Sequence, residues 1–159
     1  MTRLAALVCS TVALLIAAAP IHADKAAPAA KPGYDAALAT RLGADERGMR
    51  SYVLVVLKTG PKRMPDGPER DAMFKGHFAN IQRLAGAGQL ALAGPFGKGG
   101  DWRGLFILAV TTVEEAEKLV ATDPVILEGE MVAEFHPWYG SAALMQVPEI
   151  HTRLSAPPL

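Results

Sequence analysis

Apolar runs and one alternating segment along the chain predict four β-strands. Residues 52–57 form an unbroken apolar run rich in β-branched side chains, a pattern typical of a strand covered on both faces. Residues 90–93 and 104–110 are two further apolar runs, and glycines between them indicate a hairpin-like connection. Residues 131–136 alternate side chains between two faces, which indicates the fourth strand.

Two amphipathic segments between these strands predict the main helices. The first covers residues 69–87 and repeats apolar side chains at spacings of three and four. Its predicted buried stripe is Phe74, Phe78, Ile81, Leu84 and Ala85. The second opens with a capping box formed by Thr112 and Glu115. A shorter helix is predicted for residues 34–42, where Leu38 and Leu42 are four positions apart and Gly43 follows. Another is predicted for residues 124–128, because Pro124 suits a first helical position.

The order strand, helix, strand, strand, helix, strand predicts an α+β fold of the ferredoxin-like split βαβ type. Right-handed crossovers place both helices on one face of a four-stranded antiparallel sheet. The strands at residues 52–57 and 104–110 are apolar on both sides, so the second face also needs cover. The economical cover is the same face of a second copy. We therefore predict a homodimer through the sheet face, of the dimeric α/β-barrel type.

The first 23 residues have the three parts of a cleavable secretory signal. Arg3 supplies the positive charge, residues 4–19 form the apolar run, and small residues precede a cut after Ala23. We therefore expect a periplasmic or secreted protein with no stable membrane insertion after cleavage. The predicted organisation is a signal peptide (1–23), a flexible lead-in (24–33), an N-terminal extension with a short helix (34–50), the main domain (51–140) and a C-terminal tail (141–159).

Composition then excludes several classes of function. Cys9 is the only cysteine and lies within the predicted signal, so the mature protein has no thiol for disulfides, thiolate catalysis or metal binding. The 16 basic and 16 acidic residues cancel, which leaves no broad positive field for nucleic acid or an anionic membrane. Nothing in the sequence requires a cofactor, and we expect none.

His77 is the first candidate for chemistry, because it lies on the apolar stripe of the first long helix. An imidazole that faces a sheet must find a polar partner. It could be a core histidine bonded to a backbone carbonyl, or a general acid/base in a pocket between helix and sheet. Asp123 is equally open. It could cap the short helix that begins at Pro124, or it could orient the ring of His77.

A second polar group lies on the last strand. Glu134 and His136 are two positions apart and so share one face, with Trp138 and Tyr139 just beyond. Two alternatives are a metal site completed by His77, and a polar strand edge with an aromatic lid. No metal-binding spacing motif supports the first alternative, and we predict no metal. If His77 is catalytic, His136, Trp138 and Tyr139 could line its pocket and bind the substrate.

Four segments occur in an order and spacing that resembles the YCII-related (YciI-like) family. They are YVLVVLK at 52–58, His77 in the first long helix, LAGAGQLALAGPF at 84–96, and AEKLVATDP at 116–124. The family is described as carrying a histidine and an aspartate in an active-site cleft, and these fall on His77 and Asp123. Gly94 and Pro95 match its Gly-Pro turn, which is expected to shape the cleft mouth. The HPWYGSAALM ending at 136–145 and the extended front resemble an exported sub-group.

The expected function is therefore a small exported dimeric enzyme that uses no cofactor. His77 would act as general acid/base, oriented by Asp123, in an elimination, isomerisation or hydrolysis of a small organic molecule. The alternative is a non-catalytic module that binds a small ligand or a partner through the same cleft.

Overall fold

The computed structural model describes residues 33–97 and 99–156. The predicted signal peptide, nearly all of the predicted lead-in, Lys98 and residues 157–159 lie outside the described residues. The chain divides into two units, Met1–Tyr34 and Asp35–Leu159, and the second contains the fold. Within the described residues, no helix combines the length and apolarity that crossing a bilayer requires.

One antiparallel sheet organises the second unit. The elements in chain order are α1 (Ala36–Leu42), β1 (Met49–Thr59), α2 (Pro68–Gly86), β2 (Leu90–Pro95), β3 (Trp102–Leu108), α3 (Val113–Val120), α4 (Pro124–Leu127), β4 (Met131–Ser141), a 3₁₀ segment (Ala142–Gln146) and α5 (Val147–Leu154). The strand order is β2-β3-β1-β4, and each neighbouring pair is antiparallel. The predicted α+β, ferredoxin-like arrangement is confirmed.

Local chemistry explains where the helices begin. Thr112 accepts a hydrogen bond from the backbone N–H of Glu115 at 3.2 Å, which is half of the predicted capping box. The Glu115 carboxylate reaches the N–H of Thr111 at 3.3 Å rather than that of Thr112. At the start of α4, Asp123 accepts from the N–H of Val125 and Pro124 occupies the first turn.

The core lies between the sheet and α2 and α3, but the buried side of α2 differs from the prediction. The residues of α2 that are buried are Met73, His77, Asn80 and Leu84. Phe78, predicted to be buried, is 59 % exposed. Because His77 and Asn80 are polar, a search for apolar spacing alone places the stripe one position to the side. The buried face of α2 therefore carries two polar side chains at its centre.

The segment after β4 covers part of the opposite sheet face. Leu144 and Met145 of the 3₁₀ segment pack against Tyr52, Ala91 and Ile107, and α5 then runs beside β2. The predicted C-terminal tail thus supplies some of the cover that the sequence assigned to a second copy. Val132 and Trp138 on β4 remain 43 % and 36 % exposed. The homodimer stays a prediction.

Candidate active site

A direct hydrogen bond joins the two candidate residues. His77 Nδ1 lies 2.9 Å from Oδ1 and 2.8 Å from Oδ2 of Asp123. The pair is enclosed, since His77 is 7 % exposed and Asp123 is fully buried. The partner of the imidazole is therefore a carboxylate, and the alternative of a core histidine bonded to a backbone carbonyl is wrong.

Asp123 performs both tasks that the sequence offered as alternatives. Its Oδ1 accepts the N–H of Val125 at 3.1 Å and so caps α4, while both oxygens face His77. Its Oδ2 also accepts from Nδ2 of Asn80 at 3.2 Å. A carboxylate held by donors on several sides has little freedom to rotate, which fixes the plane of the imidazole that it orients.

Asn80 belongs to this site although sequence reasoning missed it. Arg83 donates to Oδ1 of Asn80 at 2.6 Å and to the hydroxyl of Thr122 at 3.0 Å. The Thr122 hydroxyl lies 3.2 Å from the same Asn80 oxygen. The amide of Asn80 is thereby fixed with its NH₂ group toward Asp123. The available signal was spacing, because a residue three positions after His77 shares its helix face.

Gly76 allows α4 to approach α2 closely enough for this contact. A Cβ atom built at Gly76 would lie 2.9 Å from Cγ of Pro124, which is closer than real contacts of this kind. Pro124 directly follows Asp123 in the chain. The absence of a side chain at position 76 therefore helps to bring the carboxylate against His77.

The geometry fixes which nitrogen of His77 is available for chemistry. An ionised carboxylate only accepts hydrogen bonds, so the proton on the bonded nitrogen belongs to Nδ1 and the neutral ring has a free lone pair on Nε2. Nε2 makes no hydrogen bond within the described residues. The ring stacks on Phe106 at a centroid distance of 6.0 Å and an interplanar angle of 24°, which holds its orientation.

His77 lines a cavity of about 470 Å³ between α2 and the sheet. This volume falls within the usual range for small-molecule sites. Four aromatic rings contribute to the wall: Phe74, Phe78, Phe96 and Phe106. Gly94 and Pro95 at the end of β2 also line it, as the resemblance implied. Two grooves beside α5, of about 140 and 680 Å³, do not include His77 or Asp123.

Arg103, which lines the cavity, belongs to a buried ion-pair network with Glu130 and Arg70. Glu130 is fully buried and accepts from Arg70 at 2.8 Å and from the backbone N–H of Met64 at 2.7 Å. Nη1 of Arg103, a cavity residue, lies 3.7 Å from the same carboxylate. Burial alone would raise the pKa of Glu130, but these hydrogen bonds and the two guanidinium charges outweigh burial and lower the pKa. Sequence reasoning did not predict this network.

The structure does not bring His136, Trp138 or Tyr139 into the cavity of His77, so their predicted role in its wall is wrong within one subunit. His136 and Trp138 lie on the sheet face opposite α2, where Trp138 packs against Tyr52 at 5.6 Å. Tyr139 lies near the end of β4, and its hydroxyl donates to Asp45 of the N-terminal extension. That bond raises the pKa of Tyr139 and lowers the pKa of Asp45.

The alternative metal set is also separated by the sheet. His136 Nε2 lies 2.8 Å from Glu134, but both project from the face opposite His77. Lys58 is hydrogen-bonded to the same carboxylate at 3.4 Å. This bond, followed by that from His136, lowers the pKa of Glu134. Within residues 33–97 and 99–156, no three histidine, aspartate or glutamate side chains are grouped as metal ligands.

Comparison with known proteins finds a distant likeness among solved structures. No protein-family model matches the chain, and no curated protein matches it. Among solved structures, it is similar to 5-chloro-2-hydroxyhydroquinone dehydrochlorinase (TftG) from Burkholderia phenoliruptrix AC1100, in complex with 2,5-dihydroxybenzoquinone. The identity is 19 %, the match covers 54 % of this chain and 92 % of that chain, and the TM-score is 0.39. At this distance the likeness supports no conclusion about activity.

Proposed function

We propose that this protein is an acid/base enzyme that acts on a small organic molecule without a cofactor. The observation that carries the proposal is the buried bond between His77 and Asp123 at the wall of an aromatic cavity. This arrangement provides a positioned base, a carboxylate that orients it, and space for a substrate. The resemblance of residues 52–138 to the YCII-related family supports the same two residues.

The chemical step would use Nε2 of His77. Nε2 takes a proton from a C–H or O–H group of the substrate, and Asp123 stabilises the imidazolium that forms. The electron pair left on the substrate expels a leaving group in an elimination, or accepts the proton back at another atom in an isomerisation. In a hydrolysis, the proton comes from an attacking water. None of these routes requires a covalent intermediate with the protein.

The size of the rate acceleration that His77 can supply limits how unreactive the substrate can be. A positioned general acid/base contributes roughly 10²- to 10⁴-fold in rate. The substrate must therefore be reactive already, such as a lactone or a substituted ring diol. The aromatic side chains around His77 suit a small, flat and mostly apolar molecule.

Asp123→Asn tests the proposal while preserving the cap of α4, because asparagine is also a favourable N-cap residue. The amide can offer its NH₂ group to Nδ1, which would move the ring proton to Nε2 and remove the base. We expect turnover to fall by about 10²- to 10⁴-fold. Turnover would be measured with any substrate found by screening lactones and ring diols. A folded variant that keeps turnover within about threefold of wild type contradicts the proposal.

A homodimer formed outside the cytoplasm completes the proposal. Val132 and Trp138 leave apolar surface on the sheet face that the 3₁₀ segment does not cover, and residues 1–23 have the pattern of an export signal. For protein isolated from the periplasm or medium, we expect a chain that lacks residues 1–23. Light scattering should give twice the mass of that chain at micromolar concentration.

A charge introduced on the exposed sheet face tests the dimer, and a charge introduced on α4 is the matched control. Val132→Lys should give a monomer, whereas Leu127→Lys should leave the dimer intact, because Leu127 lies on α4 and is already 68 % exposed. A wild-type monomer at micromolar concentration, or an intact N-terminus on cytoplasmic protein, would contradict the corresponding part of the proposal.

A further inference from the structure

Arg103 points into the cavity because β3 is irregular at this position. In the register of β1 and β3, Leu57 pairs with Gly104 and Lys58 pairs with Trp102, so Arg103 is an extra residue with no partner on β1. Simple alternation would place Arg103 on the face of Leu105 and Ile107, away from α2. The bulge instead turns the side chain toward the cavity. Re-aiming a side chain is a recurrent role of bulges beside functional sites.

The charges around Arg103 do not cancel. Arg70 and Arg103 share the single carboxylate of Glu130, which leaves one positive charge in excess. Asp66 reaches Arg70 at 3.5 Å, but it is almost fully exposed and screened by solvent. Asp123 is occupied by His77, Asn80 and the cap of α4. The cavity therefore has a cation at one part of its wall and a histidine base at another.

The guanidinium of Arg103 also has an unused donor. Within the described residues, Nη1 of Arg103 is buried and has no hydrogen-bond partner. Its distance of 3.7 Å to Glu130 is an ion-pair contact beyond hydrogen-bond reach. Because Nη1 itself is enclosed beside Glu130, a ligand in the cavity would meet the part of the Arg103 side chain that stays 22 % exposed, where an anionic oxygen could accept a charge-assisted hydrogen bond. Arg70 holds Glu130 by a short bond, so Glu130 in turn positions Arg103.

We propose that Arg103 binds an anionic oxygen, a carboxylate or a phenolate, on a small aromatic or similarly flat substrate. The rest of the wall is mostly apolar and aromatic, which fits the body of such a molecule, while Arg103 accounts for one charged group. The word substrate rests on the proposed function. Binding of the anion to Arg103 does not, so it can be tested without measuring turnover.

The experiment compares anionic and neutral probes of similar shape by NMR titration. Wild-type protein should bind benzoate or 4-nitrophenolate about 10- to 100-fold more tightly than benzyl alcohol, because only the anions can accept a charge-assisted hydrogen bond from Arg103. Arg103→Gln should lose that preference and keep the weaker affinity for benzyl alcohol. Arg41→Gln removes one exposed charge on α1 and should change neither affinity.

A measurement on wild-type protein covers the case in which Arg103→Gln fails to fold. The Nε–Hε signal of Arg103 should shift on addition of benzoate and stay in place on addition of benzyl alcohol. Equal affinities for the charged and neutral probes, an Arg103→Gln variant that binds benzoate like wild type, or an unmoved Arg103 signal would overturn the inference. His77→Gln should still bind benzoate, so loss of turnover and loss of anion binding are separable.

Discussion

Replacing His77 with glutamine is expected to reduce turnover by about 10²- to 10⁴-fold while the fold is retained. Glutamine can still donate a hydrogen bond to Asp123, so the buried carboxylate keeps a partner. It has no basic nitrogen, and proton transfer at the cavity wall is lost. Steady-state kinetics on a substrate from the lactone and ring-diol screen would measure the effect, which should appear mainly in kcat rather than in KM.

His136→Gln is the matched control for this substitution. His136 is also bonded to a carboxylate, that of Glu134, but it lies on the opposite face of the sheet. Its replacement should leave turnover unchanged. Equal losses from the two variants would contradict the role of His77. If wild-type protein binds ligands through the cavity but consumes none, and His77→Gln binds them equally well, the protein is a binding module instead.

The fold follows from the sequence because apolar side chains repeat at strand spacing along the sheet and at helix spacing along the helices. The central strand β1 shows this most clearly, since Val53, Val55 and Leu57 enter the core beneath the helices. The prediction for α2 was displaced by one position for a physical reason. Its buried centre is His77, which the sequence already places on this face, and Asn80, which a search for apolar spacing does not select.

The contact of His77 with Asp123 followed from no sequence spacing, because 46 positions separate the two residues. It requires α4 to pack on α2 beside Gly76, which is a matter of tertiary geometry. The face of His136, in contrast, is set by strand alternation alone. Phe135 is the apolar residue that faces the core, so strand alternation directs the neighbouring side chain of His136 to the other face.

Arg103 and Glu130 could not be assigned from the pattern for a different reason. Alternation along β3 predicts the wrong face for Arg103, because the bulge at this residue turns its side chain to the other face of the sheet. Glu130 lies just before β4, in a stretch where a charged residue is usually exposed. Its burial depends on the tertiary approach of Arg70, Arg103 and the backbone N–H of Met64. The direction of Arg103 and the burial of Glu130 therefore depend on the tertiary structure.

Replacing Glu130 with glutamine is expected to destabilise the protein by about 3–5 kcal/mol. The change leaves the guanidinium groups of Arg70 and Arg103 without their shared counter-charge, and removing one partner of a buried ion pair typically has this cost. Such a loss is a large fraction of the 5–15 kcal/mol by which domains are usually stable. Urea denaturation at neutral pH would measure it. Glu128→Gln, at an exposed position two residues away, should change stability by less than about 0.5 kcal/mol.

The pH dependence gives Glu130 an independent signature. The fold lowers the pKa of Glu130 below its ordinary value of 4.5, so the unfolded chain binds the proton more readily than the folded chain. The stabilisation from this carboxylate is therefore complete above about pH 4.5 and is lost as the pH falls through the lower, folded value. Wild-type stability should decline over that acidic range, and Glu130→Gln should decline less steeply. Parallel acid profiles for the two proteins, or a loss at neutral pH no larger than that of Glu128→Gln, would show that the carboxylate does not hold the two arginines in place.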